Sequence, residues 1–212
     1  MPVNVVAVQP NINPYDKYDG RSAFEQINTL IHLSDSIAQP NTEYFIWPET
    51  AIPIQTDEAR IRESESYLAA QHFLSKYKNG TLVTGIESVT FDGDIQQSYN
   101  SAVQLENSAN VQFYHKSKLV PGVEKMPFPK ALSILTPLFA GFGGTIGGWG
   151  WQDKPEVFYT YNGIGVTPVI CYESLWGEWI GDAVKNGAQF IAIITNDGWW
   201  GNTSGKDQHL LY

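Results

Sequence analysis

Residues 165–177 read GVTPVICYESLWG and contain the only cysteine of the chain, Cys171. The apolar run at 164–170 stops at this cysteine, and a segment with helical spacing follows, which predicts a strand that leads into a helix. A side chain at such a junction reaches out of the sheet edge, close to helix N–H groups that attract negative charge. A lone cysteine is often a buried, inert thiol. Cys171 is therefore either a core residue or a nucleophile, and a nucleophile needs a base and an oxyanion partner elsewhere in the chain.

The composition predicts a globular chain with one domain over residues 1–212. Hydrophobic residues make up 42% of the chain, and the net charge of −9 argues against a nucleic-acid partner because no basic stripe offsets it. The four histidines are scattered without ligand spacing, so we expect no metal and no other cofactor. The first residues lack the pattern of a signal peptide, and no apolar run reaches the roughly 20 residues of a membrane-spanning helix.

Strand and helix patterns alternate along the chain and predict the α/β class. Short apolar runs bounded by turn residues predict strands, and apolar residues at helical spacing predict helices. Asn162-Gly163 and Asp92-Gly93-Asp94 are turn signals that join neighbouring strands. The predicted strands are 3–8, 44–47, 81–86, 98–105, 111–114, 157–161, 164–170 and 189–195, the last of the buried type, and the predicted helices are 21–38, 58–78, 176–186 and one that begins before Tyr212.

The long stretch 117–155 has little periodicity and is rich in glycine, proline and aromatic residues. It predicts a loop with a short helix at 132–138 and a flexible segment at 141–150. A loop of this length within a compact domain is usually functional. Two interpretations stay open, a flap that covers the core, and a lid over an apolar substrate or toward a membrane surface.

Three chemically complementary residues follow predicted strands: Glu49, Lys116 and Cys171. Residues after the carboxyl ends of strands gather at one edge of an α/β sheet, where ligands bind. A thiol with a pKa of about 8.5 is mostly protonated at neutral pH, so Glu49 could take its proton during attack. Lys116 could stabilise the thiolate and the tetrahedral oxyanion, helped by backbone N–H groups near Tyr172. Together these residues indicate acyl transfer through a cysteine.

Four motifs in their order along the chain resemble the nitrilase, or carbon–nitrogen hydrolase, superfamily. They are WPET at 47–50, YHKSKL at 114–119, CYE at 171–173 and TNDGWWG at 195–201. Within that superfamily, WPETAIP at 47–53, LVPGVEKMPFP at 119–129 and the pair Gln208-His209 after NDGWWG resemble the apolipoprotein N-acyltransferases. Those are membrane enzymes that add a third acyl chain to bacterial lipoproteins. The resemblance covers nearly the whole chain.

The resemblance implies an αββα sandwich, here lacking the C-terminal closing elements and the membrane helices of the family, and a Glu-Lys-Cys triad. On this sequence it makes Glu49 the general base, Lys116 the oxyanion stabiliser and Cys171 the nucleophile. Lys118 is the rival for the lysine role, although the family's Tyr-x-Lys pattern favours Lys116. Glu124 matches a second essential glutamate near the triad. Further positions that support the cysteine or the substrate, with packing as the alternative role, are Tyr172, Glu173 and Trp199.

The reaction implied by the resemblance has two steps. Cys171 attacks an ester of a phospholipid, typically phosphatidylethanolamine, and becomes a thioester. The α-amine of the diacylglyceryl-modified N-terminal cysteine of an apolipoprotein then takes the acyl group. The implied partners are the phospholipid donor, the apolipoprotein acceptor and a membrane surface, and the implied place is the periplasmic side of the bacterial inner membrane. A soluble amidase or nitrilase with the same triad, and a non-catalytic domain of the same fold, are the alternatives.

Overall fold

The computed structural model describes residues 3–14, 17, 22–121, 123–124 and 148–211. Within them, the strands are β1 (Val5–Ala7), β2 (Tyr44–Ile46), β3 (Ile52–Asp57), β4 (Thr81–Asp92), β5 (Ile95–Glu106), β6 (Val111–His115), β7 (Phe158–Tyr159), β8 (Gly165–Ile170) and β9 (Phe190–Ile194). The α-helices are α1 (Ala23–Ile37), α2 (Glu65–Leu74), α3 (Gly177–Lys185) and α4 (Gly205–Leu210), and 3₁₀ helices cover Glu58–Glu63, Cys171–Leu175 and Asp197–Trp200.

The larger sheet has six strands in the order β1-β2-β4-β5-β6, with β3 paired to the second half of β4. β1, β2 and β4 run parallel, whereas β4 and β5 form an antiparallel hairpin that turns at Gly93. Gly93 has φ +59°, a left-handed conformation that glycine adopts without a Cβ clash, so the predicted turn is confirmed. β6 is antiparallel to β5 and therefore runs in the same direction as β2 and β4. The carboxyl ends of β2 and β6 thus meet at one edge of the sheet.

The smaller sheet contains β7, β8 and β9. β7 and β8 form the predicted hairpin around Asn162-Gly163, and residue 163 has φ +76°. β8 and β9 are parallel and are connected by the 3₁₀ helix Cys171–Leu175 and by α3. The predicted passage from a strand into helical structure at Cys171 is therefore present.

Helix, sheet, sheet and helix stack in this order and confirm the predicted αββα sandwich. α1 and α2 cover the outer face of the larger sheet, where residues such as Leu30 and Phe73 are buried. The two sheets pack face to face through a second cluster that includes Val83 and Ile170. α3 contacts β8 and buries Ala183. Each fully buried large apolar side chain contributes about 1.5–3 kcal/mol, so these two clusters hold the layers together.

The predicted helix 58–78 is wrong in its bounds. Two caps divide this region, because Asp57 Oδ1 accepts from the N–H of residue 59 (3.0 Å) and Ser64 Oγ accepts from the N–H of Tyr67 (3.2 Å). The first cap begins a 3₁₀ helix and the second begins α2, which ends at Leu74. β3 precedes them and was not predicted. Its central residues are exposed and it contains Pro53, so it lacks the apolar pattern of a strand. β3 tolerates the proline because it pairs with only one strand, β4.

Three strand predictions need correction, and two other predictions fall on residues that the structure does not describe. β4 and β5 have 12 residues each and are longer than predicted, because their polar, exposed ends at the turn still pair in register. β9 was predicted to be of the buried type, but Ile191 and Ile193 are 43% and 52% exposed, so one face of this strand is open in the part of the chain that is described. The predicted helix 132–138 and most of the predicted lid lie outside the described residues. No described helix is long and apolar enough to cross a membrane.

Candidate active site

Glu49 follows β2 and lies on a segment held tightly against β4. The Gly85 N–H donates to the Pro48 carbonyl (3.1 Å), and Thr50 takes a left-handed φ of +47°. A Cβ atom on Gly85 would lie 2.3 Å from the Thr50 nitrogen and 2.6 Å from the Glu49 Cα. Lys17 Nζ donates to the backbone carbonyl of Glu49 (3.0 Å). Because Gly85 has no side chain, the segment with Glu49 packs directly against β4. This contact determines how far the Glu49 carboxylate is buried.

Lys116 follows β6 and lies between two carboxylates. Its Nζ is 2.8 Å from Glu124 Oε1 and 3.4 Å from Glu49 Oε1, and its side chain is 1% exposed. Burial lowers the pKa of Lys116, but the charges of Glu49 and Glu124 outweigh this effect and raise it above the ordinary value. Lys116 is therefore a buried cation at neutral pH. The Glu124 carboxylate is fixed in turn, because its Oε2 accepts from the Val120 N–H (2.8 Å).

Asn100 completes this cluster and was missed by the sequence analysis. Its Nδ2 donates to Glu49 Oε1 (2.8 Å) and to Glu124 Oε1 (3.1 Å), and its backbone carbonyl accepts from the Lys116 N–H (2.9 Å). The carboxyl ends of strands predict the three triad residues, but Asn100 lies within a strand. β5 runs antiparallel to β4, so its early residues reach the same edge as the ends of β2 and β6. The turn signal at Gly93 was the available clue, since a hairpin centred there places position 100 at this edge.

Cys171 follows β8 in the smaller sheet, and its backbone has a left-handed φ of +49°. Burial and, second, the charge of Glu49 raise the pKa of its thiol to about 12, while Lys116 and a hydrogen bond with Thr195 act in the opposite direction. These effects place the sulfur within electrostatic reach of the Glu49, Lys116 and Glu124 charges. Cys171 is therefore a protonated thiol at neutral pH, beside a carboxylate and a lysine cation.

Glu173 connects the segment after β6 to the segment after β8. Its Oε1 accepts from the N–H groups of Ser117 (2.6 Å) and Lys118 (3.1 Å) and from the Tyr114 hydroxyl (2.6 Å), and its Oε2 accepts from the Ile170 N–H (2.9 Å). The residue is fully buried. Burial raises its pKa, and the hydrogen bonds oppose that shift. Glu173 thus fixes the relative position of Lys116 and Cys171.

The other candidates lie at the rim. Lys118 Nζ lies over the rings of Trp179 (3.9 Å to the centroid) and Trp176 (5.3 Å), away from the carboxylates, so the geometry favours Lys116 over its rival. Tyr172 and Trp176 make an edge contact beside Lys118 and line a recess of about 190 Å³. Trp199 belongs to the 3₁₀ helix Asp197–Trp200 and is 51% exposed.

A protonated thiol, a neighbouring carboxylate and a buried cation are the parts of a cysteine-dependent acyl-transfer site. Residues 4–212 match the carbon-nitrogen hydrolase family, and the chain belongs to that family. Among curated proteins, it is 31% identical over 98% of its length to the apolipoprotein N-acyltransferase of Chlorobaculum tepidum, covering 42% of that protein. It is also 31% identical over 99% of its length to the enzyme of the same name from Pseudomonas aeruginosa strain LESB58, covering 39%. The predicted resemblance is confirmed, and the chain spans about two fifths of the length of these relatives.

Solved structures share the fold at low sequence identity. The chain matches a mutant of the amidase from Nesterenkonia sp. AN1 with a TM-score of 0.57 and 14% identity, over 95% of this chain and 68% of the amidase chain. It matches the glutamine-dependent NAD+ synthetase from Acinetobacter baumannii with a TM-score of 0.56 and 16% identity, over 89% and 32% of the two chains. At this identity the likeness shows the nitrilase-like fold alone.

Proposed function

We propose that this chain is the catalytic domain of an apolipoprotein N-acyltransferase. In this proposal Cys171 takes an acyl chain from a phospholipid ester and passes it to the N-terminal amine of a diacylglyceryl-modified apolipoprotein. The observation that carries the proposal is the placement of the thiol beside the buried cluster of Glu49, Lys116 and Glu124, in a chain whose curated relatives carry that name. The membrane surface and the periplasmic side of the bacterial inner membrane belong to the same proposal.

In the first step the Cys171 sulfur attacks the ester carbonyl of the phospholipid while Glu49 takes the thiol proton. The carbonyl oxygen becomes an oxyanion, which the Lys116 cation and nearby backbone N–H groups stabilise. The carbon–oxygen bond then breaks, the lysophospholipid alkoxide leaves with the proton held by Glu49, and a thioester remains on Cys171. The raised pKa of the thiol makes a nearby base necessary, because little free thiolate exists at neutral pH.

In the second step the α-amine of the acceptor attacks the thioester carbonyl. Glu49 takes the proton of the attacking amine and returns it to the departing sulfur, which restores the thiol and releases the amide. Glu124 and Asn100 hold Glu49 and Lys116 in place through their contacts at 2.8–3.1 Å. Their role is to fix the base and the cation before substrate arrives.

The test is the intact mass of the protein, with any sequence that flanks this chain, after incubation with phosphatidylethanolamine. We expect a gain of one acyl chain that is absent in Cys171→Ala and is discharged by an amine acceptor. The matched control is Ser108→Ala, a small change in the exposed turn between β5 and β6. No gain in the unmodified protein, together with rapid hydrolysis of a small amide, would contradict the proposal and favour an amidase.

A further inference from the structure

A second side-chain cluster, which contains neither Glu49 nor Lys116, contacts Cys171. His209, on α4, faces the Cys171 backbone carbonyl with its Nε2 (3.2 Å) and also lies 3.0 Å from Ser174 Oγ. Its Nδ1 lies 2.7 Å from Asp197 Oδ1. The His209 side chain is 11% exposed, so these contacts account for most of its polar surface. The triad mechanism uses none of them.

A second route leads from Asp197 to the sulfur itself. The Thr195 hydroxyl donates to Asp197 Oδ1 (3.0 Å), and the Thr195 side chain lowers the pKa of the Cys171 thiol. A hydroxyl has one proton and two lone pairs. While Thr195 donates to Asp197, its oxygen can accept from the thiol S–H, and when the thiolate forms, its O–H can turn to the sulfur. Asp197 therefore connects to both the backbone and the side chain of Cys171.

The contacts also fix the orientation of the His209 ring. The Asp197 carboxylate only accepts hydrogen bonds, so Nδ1 donates to it. Nε2 lies within hydrogen-bond distance of the Cys171 carbonyl, which accepts, and of the Ser174 hydroxyl, which can donate or accept. A hydrogen bond to a carboxylate is stronger than one between neutral groups, so Asp197 fixes a ring that contacts strained backbone. Cys171 is such a position, because its φ of +49° lies in the left-handed region that a side chain disfavours.

We propose that His209 is a positioning residue for the nucleophile. With Asp197 and Thr195 it holds the Cys171 backbone in its left-handed conformation, so that the sulfur points at Lys116 and Glu49. This role is independent of the substrate, since it concerns the thiol before any acyl group arrives. It goes beyond the proposed acyl transfer and does not rest on it.

The main variant is His209→Gln in the intact protein. Glutamine keeps a donor for the Cys171 carbonyl only if its carbonyl oxygen turns toward Asp197, where two acceptors would face each other. We expect kcat of acyl transfer to fall about tenfold or more with KM changed less than about twofold, because a small displacement of the sulfur slows attack strongly. We also expect alkylation of Cys171 by iodoacetamide at fixed pH to become faster, because a displaced sulfur loses the burial and the Glu49 charge that raise the pKa of its thiol. His72→Gln, the same change on the exposed face of α2, is the matched control.

Two further variants separate positioning from folding. Asp197→Asn keeps the shape and lets His209 still donate from Nε2, so we expect a loss of kcat of less than about threefold. In His209→Gln/Asp197→Asn the asparagine amide can donate to the glutamine carbonyl, so the double variant should recover most of the activity that the single His209 variant loses. If His209→Gln does not fold, as judged by its thermal transition, Thr195→Val carries the test. That variant keeps the side-chain shape, and we expect the same drop in kcat. Its alkylation rate should fall, because Thr195 lowers the pKa of the Cys171 thiol.

The outcomes are distinct. Unchanged kcat and alkylation in folded His209→Gln would overturn the proposal, and so would a loss of kcat with normal alkylation. If the loss of transition-state stabilisation in the double variant equals the sum of the losses in the two single variants, that result would also overturn the proposal. Alkylation that depends on His209 in a protein with no acyl-transfer activity would support the positioning role while contradicting the proposed function.

Discussion

At the residue scale, the most informative quantity is the acidity of Cys171. Its thiol has a pKa of about 12, because of burial and then the charge of Glu49. The group that is proposed to take the proton therefore also disfavours the thiolate in the resting site. The two effects separate in a variant that lacks the charge.

We predict that Glu49→Gln makes Cys171 more reactive toward iodoacetamide and less active in catalysis. Removing the negative charge lowers the pKa of the thiol, so alkylation at pH 8 should be faster than in the unmodified protein. Acyl transfer should fall by about 10²–10⁴-fold because the base is lost. The alkylation rate followed by mass, beside the turnover rate, checks both. Glu63→Gln, which removes an exposed carboxylate on the 3₁₀ helix after β3, should change neither rate.

The two lysines give a second prediction. Lys116→Met leaves Glu49 and Glu124 as buried carboxylates without their cation, which should lower the free energy of unfolding by about 3–5 kcal/mol and abolish acyl transfer. Lys118→Met removes a cation that lies over indole rings and should cost about 1 kcal/mol or less. Chemical denaturation of both variants measures the difference. Equal losses of stability would contradict the assignment of Lys116 to the cluster.

The sequence predicts some of these residues and not others. Glu49, Lys116 and Cys171 could be found because Lys116 and Cys171 directly follow strands and Glu49 comes shortly after one. Asn100 lies in the middle of β5, and Thr195 directly follows β9. The direction and neighbours of these strands are determined only by the fold. Their polar atoms contact the other site residues only in the folded chain, and no local sequence pattern predicts which residues come within hydrogen-bond distance.

At the scale of elements, the contact between β4 and the segment after β2 sets the depth of the base. We predict that Gly85→Ala pushes this segment outward, because the new Cβ would lie 2.3–2.6 Å from backbone atoms of Thr50 and Glu49 that cannot move alone. Overpacking of this kind costs about 1–3 kcal/mol, and a shift of about 1 Å in Glu49 should lower turnover by about 10²-fold.

Gly181→Ala on α3 is the control for that variant, since a Cβ there meets nothing within 4 Å. Alanine favours a helix over glycine by about 1 kcal/mol, so this change should raise the thermal midpoint slightly and leave turnover unaltered. Normal turnover in Gly85→Ala would show that Glu49 is not positioned by this contact.

Element bounds were predicted less well than element order. The strand at 81–86 and the one at 98–105 were recognised by their apolar cores, but the exposed halves of β4 and β5 carry polar residues that resemble loop. Hydrogen bonds between the two strands keep those halves extended, and such pairing is not encoded in either strand alone. Residues 58–78 were predicted as one helix, but the N-cap at Ser64 divides them into a 3₁₀ helix and α2.

At the scale of the whole molecule, the candidate site is divided between the two sheets. Glu49, Asn100 and Lys116 come from the larger sheet, and Cys171 and Thr195 come from the smaller one. The apolar cluster between the sheets therefore fixes the distance from base to nucleophile, in addition to its part in stability.

We predict that Ala192→Val, between the sheets, lowers turnover more than its effect on stability explains. Ala70→Val, in the cluster under α2, adds the same volume at a site that lies on the outer side of the larger sheet. Both changes should cost about 1–3 kcal/mol by overpacking, but only the first separates the sheets. Turnover measured well below each variant's melting temperature distinguishes them, and equal losses would contradict a role of sheet spacing.

Because the site is divided between the sheets, the reactivity of its single cysteine shows whether the two sheets have assembled. An unfolded or half-assembled chain has an ordinary thiol, about half ionised at pH 8.5, whereas the finished fold keeps the proton on Cys171 until about pH 12. Between those values, alkaline conditions favour the unfolded chain, because the thiol ionises there only after the sheets separate. A brief pulse of a thiol reagent would mark newly made or damaged molecules and spare finished ones. The burial that makes this cysteine dependent on a base thus also protects it from oxidants until a substrate arrives.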